Sequence, residues 1–225
     1  MILIIAAMPE ELEALKSLGS NVSEDTYQDI KLVKMTLGNH DVMLSQSGVG
    51  KINAAYTTSI LAHHFKPEII VNIGTAGGLK ANQKVGDIVI ADVVQSHDLD
   101  IGPDTHKDPR FIYYGNQKYN DELEVLISKL GHTCHRGQIV SGDQFVVFNS
   151  YSYKRIQTLY PEAICVEMEA TAVGSAATRL NIPFVVIRSI SDVPLNKGNE
   201  VEFETFLKLA SDNSAKLTKA FLENI

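Results

Sequence analysis

The sequence predicts an α/β fold, and three observations support the prediction. Short runs rich in β-branched residues alternate with longer helical patterns along the 225 residues. Several predicted strands are apolar almost throughout, as expected where helices cover both faces of a largely parallel or mixed sheet. Glycine turns follow three of the strands, at the edge where α/β folds bind their ligands.

Eight short segments are predicted as strands because they are rich in Ile and Val and are bounded by Gly, Pro or Asp. They are residues 2–7, 30–37, 41–45, 69–73, 87–94, 138–141, 164–168 and 184–190. Six longer segments carry helical patterns, at residues 9–18, 51–65, 121–130, 152–160, 169–180 and 202–222. The connection at residues 97–120 is longer than usual and predicts a functional loop or an oligomer contact.

The composition predicts one domain over residues 1–225, because no Pro/Gly/Ser-rich linker divides the chain. Hydrophobic residues make up 44% of it, which is enough for a well-buried core. The formal charge of −7, with Lys and Arg scattered, argues against a nucleic-acid partner. The apolar start lacks a basic region and is followed by acidic residues, so we expect neither a signal peptide nor a membrane span, and a cytoplasmic protein. Cys134 and Cys165 lack metal-ligand spacing, and no metal site is expected.

Two segments place carboxylates at the end of an apolar run. The first contains Glu167 and Glu169, and the second ends in Ser191 and Asp192. Hydrophobic walls exclude water and strengthen electrostatic interactions, so the pair of segments predicts a polar small-molecule site. Either segment taken alone is also consistent with an exposed strand edge, a turn or a helix cap.

The three glycine turns lie at residues 47–51, 74–78 and 141–143. Glycine at such turns lets backbone amides approach a ligand closely. None of the three matches a Walker A loop or a dinucleotide-binding fingerprint. Taken singly they are more often structural than functional, and it is their recurrence after apolar strands that favours a ligand site.

Seven motifs, taken in order, carry a resemblance to a known family. They are Ala7-Met8-Pro9-Glu10-Glu11, Ser47-Gly48-Val49-Gly50-Lys51, Asn72-Ile73-Gly74-Thr75-Ala76-Gly77-Gly78, Val85-Gly86-Asp87, Val140-Ser141-Gly142-Asp143-Gln144-Phe145, Val166-Glu167-Met168-Glu169-Ala170 and Ser191-Asp192. In sequence and spacing the chain resembles 5′-methylthioadenosine/S-adenosylhomocysteine nucleosidases from Met1 to the last helix. The resemblance implies a nucleoside phosphorylase-like fold, a three-layer α/β/α sandwich around a mixed sheet that closes into a distorted barrel.

The resemblance also implies a reaction and a set of partners. Water cleaves the N-glycosidic bond of 5′-methylthioadenosine or S-adenosylhomocysteine and releases adenine and the thio-substituted ribose. The nucleosides 5′-deoxyadenosine and futalosine-type compounds are further candidate substrates. Neither a metal ion nor an organic cofactor is implied. A homodimer is expected, in which the loop at residues 98–120 contributes to the neighbouring subunit's pocket.

By resemblance, the catalytic roles fall to Glu11 and Asp192. Asp192, oriented by Ser191, matches the acid that protonates adenine N7, and burial raises a carboxyl pKa enough for donation near neutrality. Glu11 matches the glutamate that activates the attacking water. The alternatives are a turn cap for Asp192 and an ordinary first-turn glutamate for Glu11, a role that suits Glu10 better.

Most of the substrate contacts are also assigned by resemblance. Glu169 matches the residue that accepts hydrogen bonds from the ribose hydroxyls, and Met168 packs under the sugar. Phe145 stacks on adenine while the backbone of Val146 reads its Watson–Crick edge, and Phe203 is a second aromatic residue near the ligand. The alternatives are a helix N-terminal charge for Glu169 and ordinary core packing for Met168 and Phe145.

Thr75, Gly77 and Arg188 complete the predicted substrate site. Thr75 and Arg188 match positions near the catalytic water, although a lone arginine after a buried strand is also consistent with pairing to an internal carboxylate.

The chain departs from the family pattern at four places. Pro9 replaces an acidic residue, and it suits the first turn of a helix, so Glu11 keeps its place. Thr75 stands where serine is common, which adds a methyl group near the sugar. Residues 146–149 are bulkier than usual, and the segment at residues 194–201 is one residue longer. The last three departures bear on the preference for the 5′ substituent.

Three functions compete at this stage. The first is the hydrolase described above. The second is a phosphorolytic transferase, which needs a cationic phosphate site near the N-terminal turn, where Glu10 and Glu11 instead place carboxylates. The third is a non-catalytic nucleoside-binding protein that kept the fold. The presence of Glu11, Glu169 and Asp192 together argues against the third.

Overall fold

The computed structural model of the protein describes residues 1–195 and 197–225. Within these residues the strands of one mixed sheet are β1 (Ile2–Ala6), β2 (Ser20–Tyr27), β3 (Ile30–Leu37), β4 (His40–Gln46), β5 (Ile69–Gly78), β6 (Ile88–Ser96), β7 (Ile112–Tyr114), β8 (Cys134–Ser141), β9 (Ala163–Glu167) and β10 (Phe184–Asp192). The α-helices are α1 (Pro9–Lys16), α2 (Lys51–Phe65), α3 (Gln117–Lys129), α4 (Tyr151–Leu159), α5 (Ala170–Arg179) and α6 (Asn199–Leu222).

Five strands close into a barrel in the order β5, β9, β8, β6, β10, because β10 pairs with β5 as well as with β6. The pairs β10–β5, β6–β8 and β8–β9 are parallel, whereas β5–β9 and β6–β10 are antiparallel. This closed mixed barrel confirms the predicted nucleoside phosphorylase-like α/β architecture.

The remaining strands extend the sheet outward from β5. Strand β1 lies between β5 and β4 and is parallel to both, and β3 and β2 follow as antiparallel strands. Alternate side chains of β1 enter two separate cores, as the two-residue period of a strand requires. Leu3 and Ile5 pack in one core with residues of α2 and α5. Ile2 and Ile4 pack in the other with residues of α1, α3 and α6.

The structure contains two strands that the sequence pattern did not predict. Strand β2 is exposed along almost its whole length and forms by pairing with β3 rather than by burying an apolar face. Strand β7 has three residues and pairs with β6. Neither carries the periodic apolar pattern that predicts a strand.

The predicted glycine turn at residues 74–78 is wrong, because β5 runs through it to Gly78. Gly74 to Gly77 pair with β10 on one side, and Gly77 and Gly78 pair with β9 on the other. Small residues here let the strand bend from one barrel neighbour to the next and approach other groups closely. The glycine-rich motif is therefore part of the barrel wall. Turns do follow β4 and β8, as predicted.

The long connection after β6 contains two 3-10 turns, Thr105–Lys107 and Pro109–Phe111, before β7 and α3. Helix α3 begins earlier than predicted because the side chain of Asn116 accepts a hydrogen bond from Tyr119 N and caps it. The segment predicted to be one residue longer includes Asn196, which lies outside the described residues. In the described part of the chain, no helix combines the length and apolar character that crossing a bilayer requires.

Candidate functional site

A cavity of about 380 Å³ opens where β5, β9 and β10 end and α1 and α5 begin. A cavity of this size suits a nucleoside-sized ligand. Ten of the eleven predicted site residues line it, namely Glu11, Thr75, Gly77, Phe145, Val146, Met168, Glu169, Ser191, Asp192 and Phe203. Arg188 is not among the described lining residues.

The carboxylate of Glu11 is held in place at the first turn of α1. Helix α1 begins at Pro9, whose fixed φ suits the first helical position. Glu11 Oε2 accepts hydrogen bonds from the backbone N–H groups of Ala7 at 2.9 Å and Met8 at 3.1 Å. Glu11 Oε1 accepts one from Thr75 N at 3.1 Å. Glu11 is 3% exposed whereas Glu10 faces solvent, so Glu10 is the residue that matches an ordinary first-turn glutamate.

Opposing effects act on the pKa of Glu11. Burial is the largest effect and raises the pKa above its usual value, while the positive charge of Arg188 and the three backbone N–H donors act against this rise. The donors stabilise the ionised form, which is the form that can accept a proton from water. The carboxylate is thus oriented by the backbone and leaves the remaining lone pairs for a ligand or a water molecule.

Gly74 makes room for this carboxylate. A Cβ atom at position 74 would lie 2.7 Å from Glu11 Oε1, closer than a Cβ atom approaches other heavy atoms in proteins. The φ of Gly74 is +156°, a value that other residues rarely adopt. Position 74 therefore requires glycine for both reasons.

Asp192 ends strand β10 and also lines the cavity. It is 2% exposed, and Ser191 Oγ donates to its Oδ1 at 2.9 Å while Asn199 Nδ2 donates to its Oδ2 at 2.7 Å. Burial raises the pKa of Asp192 to about 6, although these two hydrogen bonds oppose the shift. A carboxyl group with this pKa is partly protonated near neutral pH, so it can act as an acid.

Glu169 lies at the N-cap position of α5. Its Oε1 accepts a hydrogen bond at 2.8 Å from the N–H of Gly50, which lies in the turn that precedes α2. Its Oε2 has no hydrogen-bond partner within residues 1–195 and 197–225, and the residue lines the cavity. Burial raises the pKa of Glu169, and the nearby charge of Glu167 acts in the same direction. Met168, half-buried, lines the cavity beside it.

Glu167 is a structural residue, because donors converge on its carboxylate. Its Oε2 accepts hydrogen bonds from the backbone N–H groups of Glu169 and Ala170 and from Arg188 Nη2 at 2.6 Å. Its Oε1 accepts one from Ser141 Oγ. The carboxylate of Glu167 therefore fixes the backbone N–H groups of Glu169 and Ala170 and, with them, the position of Glu169. Its partner Arg188 is 1% exposed, so the two form a buried ion pair.

Arg188 lies behind the cavity wall and links the barrel strands. Its Nη2 donates to Asn72 Oδ1 at 2.6 Å, and Asn72 Nδ2 in turn donates to Ile5 O. Arg188 therefore pairs with an internal carboxylate, that of Glu167, which is the alternative given for it above. Its positive charge still acts on two cavity carboxyl groups, because it opposes the rise in the pKa of Glu11 and of Glu169.

Two aromatic rings form the outer part of the cavity. Phe145 is 42% exposed and packs edge-to-face against Phe203, with 5.3 Å between ring centroids. Phe145 is therefore not an ordinary core residue. The backbone of Val146 follows it, and among the described residues its N–H has no acceptor.

Asn199 is a buried polar residue of this site that the sequence did not reveal. Its side chain contacts both Asp192 and the backbone after Phe145. It is the first residue of α6 and precedes residue 202, where the sequence predicted this helix to begin. Only the tertiary contacts connect it with the site.

Known proteins resemble this chain over its whole length. The family model described as the phosphorylase superfamily matches residues 1–223. A 5′-methylthioadenosine/S-adenosylhomocysteine nucleosidase of Staphylococcus aureus (strain bovine RF122 / ET3-1) is 35% identical, over the full length of both chains. The chain is similar to the structure of such a nucleosidase from S. pneumoniae with the transition-state inhibitor MT-ImmA, with TM-score 0.89, 34% identity, and coverage of 99% of this chain and 98% of that one. A structure from Borrelia burgdorferi B31, described as a nucleosidase of this kind bound to adenine, matches with TM-score 0.91 and 33% identity over 100% of both chains.

Proposed function

Because this chain belongs to the 5′-methylthioadenosine/S-adenosylhomocysteine nucleosidases of the phosphorylase superfamily, we propose that it hydrolyses these two nucleosides with Glu11 and Asp192 as its catalytic residues. The reaction breaks the N-glycosidic bond and releases adenine and the thio-substituted ribose. The observation that carries the assignment is the convergence of three buried carboxylates, those of Glu11, Glu169 and Asp192, on one largely apolar cavity.

Asp192 is the proposed general acid. Adenine leaves poorly as an anion, so a proton delivered to its N7 lowers the barrier to bond cleavage. The raised pKa of Asp192, about 6, keeps part of the population protonated at neutral pH. Ser191 donates to Oδ1, which fixes the orientation of the carboxyl group.

Glu11 is the proposed base and acts on the sugar side of the bond. The departure of adenine leaves an oxocarbenium-like sugar, which nearby carboxylates stabilise and which water can capture. Glu11 is ionised when it takes the proton, and the Arg188 charge together with three backbone N–H groups favours that form. Thr75, whose N–H binds the same carboxylate, lies where its hydroxyl can contact the same water.

Substrate recognition divides between the two ends of the cavity. We assign the ribose hydroxyls to Glu169, because Gly50 N binds only its Oε1 and the lone pairs of its Oε2 can accept hydrogen bonds from hydroxyl groups. Met168 packs against the sugar, and adenine stacks on Phe145 with Phe203 at the rim. The backbone of Val146 then lies within reach of the purine edge. The effects of Thr75 and of residues 146–149 on the 5′ substituent stay predictions.

Hydrolysis is favoured over phosphorolysis by the charges of the cavity. Its described lining residues include four carboxylates and neither Lys nor Arg, and the nearby Arg188 is paired with Glu167. Phosphate would be repelled by these carboxylates. The nucleoside-binding alternative is disfavoured because it gives no reason for a buried acid and a buried base in one cavity.

Adenine release should therefore be independent of phosphate. The purified protein is incubated with 5′-methylthioadenosine in the presence and absence of inorganic phosphate, and both adenine and sugar products are measured. We expect equal rates and a free reducing sugar, because water is the nucleophile. Phosphate dependence with a sugar 1-phosphate product would show a phosphorylase, and no adenine under either condition would show a binding protein.

We also propose a homodimer formed through the face that carries the start of α2. Ile52 on this face is 81% exposed, and a shallow surface cavity beside it is lined by Ala55, Leu99, Phe111 and Tyr113. These four residues are half-buried, and charged side chains, those of Lys51, Asp98, Asp143 and Arg179, line the same cavity. An exposed apolar residue beside charged groups is consistent with a protein contact. Part of the cavity lining comes from residues 98–120, the loop that the resemblance assigns to the neighbouring pocket.

The dimer is tested by placing a charge on this face. Ile52→Glu should shift the protein toward monomer in analytical ultracentrifugation and lower its activity at low concentration, because burying an unpaired carboxylate at the contact is costly. Val125→Glu, at a residue of α3 that is 54% exposed, is the matched control and should change neither property. A wild-type protein that sediments as a fully active monomer would refute the shared pocket. The one-domain organisation of residues 1–225 and the cytoplasmic location stay predictions.

A further inference from the structure

Asn199 connects the catalytic acid to the segment that follows Phe145. It is fully buried at the first position of α6. Its Nδ2 donates to Asp192 Oδ2 at 2.7 Å and to Val146 O at 3.0 Å, and its Oδ1 accepts from Phe148 N at 3.2 Å. One amide group thus bridges a strand end at residue 192 and a loop at residues 146–148, which are far apart in sequence.

The partners fix the orientation of this amide. Its NH₂ group faces two acceptors, a carboxylate and a backbone carbonyl, and its oxygen faces a backbone donor. Turning the amide by 180° would set donor against donor and acceptor against acceptor, so only one orientation satisfies all three groups. Both N–H bonds of the amide are then used.

We propose that Asn199 is a positioning residue for the cleavage reaction, which aligns the Asp192 carboxyl group with a purine held by Phe145 and the Val146 backbone. This inference rests on the proposed roles of Asp192 and Phe145 and deepens them. The amide nitrogen donates and cannot accept. A proton carried by Asp192 therefore cannot be given to Asn199, and it stays available to the cavity. At the same time the amide holds the Val146 carbonyl and the Phe148 N–H in a fixed position relative to that carboxyl group.

The pKa of Asp192 provides a measure of its contact with Asn199, because several nearby groups set this pKa. Asn199 and Ser191 stabilise the ionised carboxylate, whereas burial and the charges of Glu202 and Glu200 on α6 favour the protonated form. On the β5 side the neighbour is Gly77, which is uncharged. Removal of the Asn199 donor should therefore raise the pKa of Asp192, and a packing residue without this contact would leave it unchanged.

Asn120 is a matched control for the loss of a buried asparagine. It is also fully buried, and its Nδ2 donates to a backbone carbonyl, Ala91 O at 2.8 Å, and to a carboxylate, Asp92 Oδ1 at 3.2 Å. The two asparagines thus have the same kinds of acceptor. Asn120 does not line the cavity among the described residues.

The test compares Asn199→Ala, Asn199→Asp and Asn120→Ala with the wild-type enzyme. Steady-state kinetics with 5′-methylthioadenosine are measured over a range of pH, and the affinity for adenine is measured by calorimetry. We expect Asn199→Ala to lower kcat about tenfold or more, as for loss of a hydrogen bond to a charged group, to weaken adenine binding, and to shift the alkaline limb of kcat/KM to higher pH. Asn199→Asp keeps the side-chain volume but loses both N–H donors, so we expect it to lower kcat and adenine affinity as much as Asn199→Ala does. Asn120→Ala should retain wild-type kcat and pH dependence.

Asn199→Ala in an Asp192→Asn background separates the contact of the amide with Asp192 from its contacts with residues 146–148. There Asn199→Ala should have little further effect on kcat, because the acid it aligns is gone, and it should still weaken adenine binding. An equal kcat loss in both backgrounds, or unchanged adenine affinity and pH profile, would overturn the inference. So would failure of both Asn199 variants to fold while Asn120→Ala folds, since the residue would then be structural. The proposed function fails separately, if Asp192→Asn alone keeps wild-type activity.

Discussion

Asp192→Asn should lower kcat for adenine release by about 10²–10⁴-fold, the usual contribution of general-acid catalysis. The amide has nearly the shape of the carboxyl group but cannot deliver a proton as an acid. Asp192 is 2% exposed and hydrogen-bonded on both oxygens, so solvent is poorly placed to replace it. Binding of a transition-state inhibitor to the variant should stay measurable, because Phe145 and Glu169 are unchanged.

The pH dependence gives this prediction a second measurement. The acid must be protonated, and burial raises the pKa of Asp192 to about 6, so kcat/KM of the wild-type enzyme should fall as pH rises through this value. In Asp192→Asn that limb should disappear. Asp87→Asn is a control at another largely buried aspartate, one that binds His135, and should keep both rate and profile. Full activity of Asp192→Asn would remove Asp192 from its proposed role.

Glu11→Gln should produce a large loss in kcat, also on the order of 10²–10⁴-fold, with substrate affinity little changed. Water is captured after the bond to adenine weakens, so a base that acts on it contributes mainly in the transition state. Glutamine keeps the size of the side chain but has no basic oxygen. Its NH₂ group must also face a backbone N–H of Ala7, Met8 or Thr75, so we expect a loss of stability of about 1–3 kcal/mol in thermal unfolding as well.

Glu169→Gln is the comparison that separates base from ligand. Glu169 is proposed to hold the ribose hydroxyls in the ground state, so its substitution should raise Kd for the substrate more than it lowers kcat. Gly50 N can still donate a hydrogen bond to the glutamine oxygen, so the side chain should keep its orientation. Paired kinetics and direct binding on both variants decide the assignment. If Glu11→Gln weakens binding while kcat stays near wild type, Glu11 is a substrate ligand and another residue is the base.

The sequence by itself determined the elements that depend on local pattern. The apolar run of β1 followed by Pro9 and acidic residues predicted a strand and a helix start, and both are present. The end of that strand placed Glu11, and the end of β10 placed Asp192, so motif order along the chain located both carboxylates. Strand ends are where such sites form in α/β folds, which is why these predictions needed no coordinates.

Tertiary structure decided which segments complete the barrel. Residues 74–78 have the composition of a turn, yet they are strand because β10 and β9 provide hydrogen-bond partners on their two sides. Strand β2 is polar and exposed, and its pairing with β3 defines it. Partners distant in sequence override local preference here, because strand hydrogen bonds are made between segments rather than within one.

Tertiary structure also decided which polar residues support the site and which line it. Glu167 and Glu169 are alike in sequence context and both line the cavity, but the hydrogen bonds of Glu167 are taken up by Arg188, Ser141 and the backbone, while Glu169 Oε2 has no partner among the described residues. Asn199 precedes the helix start that the sequence predicted, and in the fold it binds Asp192. A buried polar group must find partners, and those partners are set by packing between elements far apart in the chain. The sequence therefore determined which residue types were available for the chemistry, and the fold assigned each of them its contacts.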